Sequence, residues 1–177
     1  MAERDRNINL RGTPGGIITS SAFDYAVKFC AFADGKYPEL KQYPIEARYA
    51  AHQAAIVVST LILLERKSGG AGWKELHDNV SRAFAPSARH RCLTAVNDLT
   101  AYLLKSDRSA VGPDAIPSFA SLAGVDDKQL GSALGSWLGG VIMDKWTLGA
   151  AHQPIVAAMS RSAWTSAVMI VRKLGLK

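Results

Sequence analysis

The chain has 177 residues, 48% apolar and 20% charged, a balance that suits one globular domain and excludes disorder throughout. Lysine and arginine number 21 against 15 aspartates and glutamates; the net charge of +6 and pI of about 9.5 favour an anionic partner such as nucleic acid or an acidic protein surface. Cys30 and Cys92 belong to no CxxC or Cys/His spacing and fall in apolar helical context, which predicts buried free thiols in a reducing compartment.

Residues 1–19 read as a flexible basic arm ahead of a helical domain over 20–177. Arg4, Arg6 and Arg11 carry the arm's charge, opposed by Glu3 and Asp5, and Thr13-Pro14-Gly15-Gly16 reads as a block to regular structure. The opening residues lack an apolar core of the signal-peptide kind, so no signal peptide is expected. The first helix is expected to start at Ser20 or Ser21, with Ser21 and Asp24 as a capping box, and to end at Asp34-Gly35.

Pro44 suits the first turn of a second helix that runs to about Lys67 and stops at Gly69-Gly70. Residues 54–64 are apolar all round, the mark of a central helix covered on most sides. A third helix is predicted over 73–85, closed by Pro86, and a fourth from Ser87 to about Lys105, with Cys92, Val96, Leu99 and Leu103 as its core stripe. A loop follows over 106–117, then a short helical turn within 119–124. Asp126 with Gln129 opens a fifth helix reaching about Trp146, and a last helix runs from near Pro154 to Leu174. No alternating run predicts a sheet. The expected fold is therefore all-α, a single-domain bundle of about six helices with an extended N-terminal arm. The apolar runs at 54–64 and 131–143 are shorter than the ~20 residues that span a bilayer, and the alanine-rich stretch at 155–171 is interrupted by Arg161 and several serines, so all three are expected to be buried helices rather than membrane spans.

Ala50-Ala51-His52-Gln53 recurs as Ala150-Ala151-His152-Gln153, each before an Ile-Val pair. A duplication of two helical halves and coincidence in an alanine-rich chain both account for it, since the flanks do not align. His52, His77, His90 and His152 have no partner at metal-ligand spacing, so structural histidines are expected, with no metal and no cofactor. No phosphate loop, dinucleotide fingerprint or nucleophile elbow is present.

The most suggestive local feature is Ser87-Ala88-Arg89-His90-Arg91 in the first turn of the predicted fourth helix. Free N–H groups and the helix dipole already make that turn positive, so added cations make sense where an anion completes the site. Arg89, His90 and Arg91 are the candidate phosphate contacts, with Arg82 and Arg161 as secondary candidates; a solvated basic surface, or pairing with Asp78 or Asp98, is the plain alternative. Gly131, Gly135 and Gly139 fall on one helix face and predict a close backbone approach, either inside the domain or as a self-association surface.

In overall character the chain resembles a nucleocapsid or helical coat subunit. It is expected to be a non-enzymatic, self-associating protein that binds nucleic acid through its phosphates, forming homo-oligomers through the arm and the 126–146 helix. Its expected location is the cytoplasm, or a virion for a coat protein. A helical interaction or regulatory module with an acidic protein partner is the alternative, and a small helical enzyme with a pocket near His52 or His152 the third.

Overall fold

A computed structural model describes residues 12–68, 80, 90–105, 119–146 and 149–175. These form helices α1 (Pro14–Lys36), α2 (Ile45–Ser68), α3 (His90–Leu104), α4 (Ala120–Ala123), α5 (Asp127–Met143) and α6 (Gln153–Lys173), with a 3-10 turn at Pro38–Gln42 and no strand among the described residues. The all-α expectation is met. The predicted helix over 73–85 and the loop over 106–117 lie outside the described residues, Val80 apart, which is buried in the core.

The organising element is α2. Its apolar run leaves no polar stripe, so the helix must be enclosed, and residues 51–62 are all buried. It packs against α1, α3 and α6 on its long sides and also meets α4 and α5. By length and composition α2 and α6 could each cross a membrane, but 78% of the apolar window of α2 is buried inside the chain itself. The core comes from the facing stripes of its neighbours: Ile18, Ala22 and Ala26 of α1, Val96 and Leu99 of α3, Leu134 and Trp137 of α5, Ala163 and Ile170 of α6.

The start of α1 corrects the sequence reading. Thr13-Pro14-Gly15-Gly16 begins the helix rather than blocking it. Thr13 is the N-cap: its Oγ1 accepts from the Gly16 N–H at 3.1 Å and its carbonyl from the Ile17 N–H at 2.9 Å. Pro14 occupies the first helical position, where a missing N–H costs nothing. Gly15, Gly16, Ile18 and Thr19 are buried, so residues 14–19 belong to the domain; residues 1–11 of the predicted arm lie outside the described residues. The expected Ser21–Asp24 capping box is displaced with the helix start. Ser20 Oγ instead donates to the Gly16 carbonyl at 2.8 Å, and Ser21 Oγ accepts from Lys173 Nζ at 3.2 Å.

Asp126 caps α5 as expected, accepting from the N–H groups of Lys128 at 2.8 Å and Gln129 at 3.0 Å. The helix ends at Met143, short of Trp146, because Asp144 turns left-handed at φ 53° and the Lys145 N–H closes on the Gly139 carbonyl at 3.1 Å. That reversal lays the Trp146 indole over Gly140, where a Cβ would stand 2.3 Å from the ring. A Cβ on Gly135 would stand 2.7 Å from Val156 Cγ1 of α6. The close approach that the glycine spacing predicts thus lies within the chain, at the crossing of α5 and α6. Gly135 is buried there and Gly139 is buried as well, which corrects their assignment to a self-association surface; Gly131 is half-buried with open space beside it.

The echoed tetrapeptides occupy unlike places. His52 lies mid-helix in the core, whereas Ala150 and Ala151 are exposed in a turn and His152 precedes the first residue of α6. A duplication would put them at equivalent positions, so coincidence is the better account.

Candidate functional site

The polar groups nearest the core serve the fold. The Arg48 guanidinium of α2 is buried and paired with Asp34 of α1, and a second contact between Nη2 and Oδ2 spans 3.4 Å. His52, one turn further along α2, is 1% exposed and stacks on Phe29 at 4.4 Å between ring centroids and 11° between planes. Its Nε2 lies 3.2 Å from Ser162 Oγ of α6, and its Nδ1 has no partner. Burial drives its pKa down to about 3, so the ring is neutral. The tautomer of lowest cost carries the proton on Nε2, since an orphaned lone pair at Nδ1 is cheaper than an orphaned N–H. His52 then donates to Ser162 and cannot serve it as a base. Cys30 is disarmed as well: burial pushes its thiol up to about 11, against the lowering influence of Arg48. Both thiols are free and buried, as expected.

Arg66 is also structural. At the end of α2 its Nε donates to the Ala123 carbonyl at 2.9 Å and its Nη1 pairs with Asp127 at 2.6 Å; Nη2 reaches the Val125 carbonyl, and the guanidinium stands 5.4 Å from the Trp164 ring centroid. It ties α2 to the α4–α5 connection.

Of the predicted phosphate contacts, Arg82 and Arg89 lie outside the described residues. His90 is the first described residue of α3, and its side chain also lies outside them. Arg91 is exposed at the mouth of a cavity of about 660 Å³ between α1 and α2, which it shares with Asp24 and Glu46. Among the described residues two carboxylates and one arginine line this cavity, and their summed charge does not favour phosphate. Arg161 lies elsewhere, in a groove between α1 and α6 that shares no lining residue with that cavity. The structure does not bring Arg91 and Arg161 together.

The Arg161 groove is lined by Lys36 and Phe32 of α1 and by Ser162 and Thr165 of α6, and no carboxylate borders it among the described residues. Phe32 is 59% exposed, an unusual position for so large an apolar ring, and Lys36 Nζ stands 5.9 Å from its centroid. The two helices run antiparallel, since Lys173 at the end of α6 bonds Ser21 near the start of α1. Lys28 lies one turn before Phe32 on the same face, and Arg172 and Lys173 end α6. From Arg161 to Lys173 the seam extends about 18 Å at 1.5 Å per residue.

Five exposed cations lie on these two helices: Lys36 and Arg161 line the groove, Lys173 bonds across to Ser21, and Lys28 and Arg172 stand on the same helices. Residues 145–177 contain no aspartate or glutamate. Of the α1 carboxylates, Asp34 is taken by Arg48 and Asp24 faces the other cavity. Sequence reasoning singled out Arg161 and passed over its neighbours. Two signals could have found them: the four-residue spacing of Lys28, Phe32 and Lys36, and the acid-free C-terminal segment. No protein-family model, curated protein or solved structure matches the chain.

Proposed function

We propose that this protein is a non-catalytic nucleic-acid-binding protein that holds backbone phosphates along the α1–α6 seam. The observation that carries the reading is a groove lined by Lys36 and Arg161, with no carboxylate among its described lining residues, an exposed phenylalanine at its edge and three more exposed cations on the same two helices. Cations hold phosphates without regard to sequence, the seryl and threonyl hydroxyls add hydrogen bonds, and the Phe32 face offers a platform on which an unpaired base can stack. That aromatic face favours a single strand over an acidic protein partner, which the cations alone would serve equally well. Arg161 keeps the role that the sequence gave it a weaker claim to, and Arg91 is outside the interface. Self-association in the manner of a coat protein is a separate proposal, resting on residues 1–11 and no longer on Gly135 and Gly139.

The test is a fluorescence-anisotropy titration of a labelled single-stranded RNA and its DNA counterpart over a potassium chloride series. Neutralising three to five phosphates of a single strand gives a slope of about −2 to −3.5 in log K against log salt. Affinity then falls about 20-fold to 100-fold between about 50 and 200 mM salt. Binding that ignores salt, or none at low salt, rejects the reading.

A further inference from the structure

The cavity that disfavours phosphate has its own chemistry. It is large enough for a small-molecule ligand, at about 660 Å³, and opens between the first half of α1 and the start of α2. Phe23 and Tyr49 meet edge to face on its wall, with ring centroids 6.1 Å apart and planes at 75°. Phe23 is 45% exposed, as though its outer face awaited a partner. Among the described residues, Asp24 and Glu46 bring two negative charges to the same cavity and Arg91 one positive charge.

The floor supplies the independent observation. Gln53 is more than nine-tenths buried and lines the cavity. Its amide Nε2 donates to the Thr19 carbonyl at 3.0 Å, and that bond fixes the orientation of the side chain. No hydrogen bond to its Oε1 is made by another described residue, and this oxygen is not among the fully buried atoms that lack a partner, so it remains reachable from the cavity. An acceptor held in a fixed orientation beside a cavity offers a hydrogen-bonding point to a donor from outside the chain. Aromatic faces and carboxylates at the mouth call for positive charge on that donor.

We propose that this cavity binds a small organic cation, an amine carried on an apolar or aromatic body. The ammonium group would donate its hydrogen bonds to Gln53 Oε1 and the carboxylates of Asp24 and Glu46, while its apolar body lies against Phe23 and Tyr49. Arg91 at the same mouth repels a second amine and gives a zwitterion's carboxylate a place to go. This site is independent of the α1–α6 seam, and either can fail without the other.

The test is isothermal titration of the full chain with phenethylamine, tyramine, phenylalanine and 3-phenylpropionate, the last three varying the ring hydroxyl, the added carboxylate and the sign of the charge. The expected result is saturable binding of both amines, weakened about tenfold or more in the double variant Asp24→Asn, Glu46→Gln, with 3-phenylpropionate not binding. Phenylalanine binding more tightly than phenethylamine also supports the proposal when the same double variant weakens it. Both substituted positions are exposed, so an unchanged melting temperature separates loss of the site from loss of the fold. No saturable heat from either amine up to about 10 mM overturns the proposal, as does 3-phenylpropionate binding as well as the amines or a double variant that binds them unchanged.

Discussion

His52 should make the fold acid-sensitive in a way that one substitution removes. Its ring is 1% exposed, and burial lowers its pKa from 6.5 to about 3. Above pH 6.5 the residue is neutral in both folded and unfolded chains and contributes no pH dependence. Below pH 6.5 the unfolded chain takes up a proton that the folded chain refuses until about pH 3, so stability falls as pH falls across that window. Each pH unit within it costs about 1.4 kcal/mol, or about 2 kcal/mol at pH 5. Against a typical total of roughly 5–15 kcal/mol, that is readily measured. The variant His52→Phe keeps an aromatic ring against Phe29 and removes the titration. Urea denaturation of both proteins from pH 7.5 to pH 4.5 gives a difference curve in which the shared carboxylates cancel. The wild type should lose stability relative to the variant by about 1.4 kcal/mol per unit once the pH drops below 6.5, whatever the offset at neutral pH. Parallel curves would refute the reasoning, because they would mean that the imidazole accepts a proton in place.

Asp34→Asn should destabilise the fold by about 2–4 kcal/mol in urea denaturation, because it strands the Arg48 guanidinium, whose side chain is 5% exposed, without its counter-charge. Gly135→Ala and Gly140→Ala should behave differently although both positions are crowded. The first drives a methyl into Val156 at the α5–α6 crossing and should cost about 1–3 kcal/mol. For the second, the three nearest atoms all belong to the Trp146 indole, which is 50% exposed and touches Tyr102, so a ring that swings outward leaves the gain of about 1 kcal/mol from alanine in a helix to offset the displacement. Its signature should be a red-shifted tryptophan emission with little change in denaturation midpoint.

The fold was legible in the sequence wherever a pattern repeated over several turns. The all-apolar run of α2 announced the central helix, the three-four spacing of Val96 and Leu99 gave the core face of α3, and Asp126 with Gln129 marked the start of α5. The boundaries misread were those where a residue's local preference pointed two ways. Thr13-Pro14-Gly15-Gly16 is turn chemistry by composition, but a threonine before a proline is also an N-cap before a first-turn residue, and burial of Ile18 and Thr19 against the core decides between them. Trp146 looked like the last turn of α5 until the left-handed Asp144 reversed the chain. The site was less legible because charge neutralisation depends on neighbours in space. Nothing in the sequence places Asp24 and Glu46 beside Arg91, and nothing places Lys36 across a groove from Arg161, 125 positions further along. The glycine spacing did predict a tight crossing but could not say which helix would fill it.

The central claim is that phosphates lie along the α1–α6 seam and away from Arg91. Anisotropy of one labelled single-stranded RNA at low salt, compared across the wild type, the double variant Lys36→Glu, Arg161→Glu and the single variant Arg91→Glu, addresses it directly, since all three positions are exposed. The account predicts at least a tenfold loss of affinity in the seam variant and a change of less than about twofold in Arg91→Glu. An equal loss in both would reduce the binding to net charge alone, and a loss confined to Arg91→Glu would move the interface to the other face of the protein.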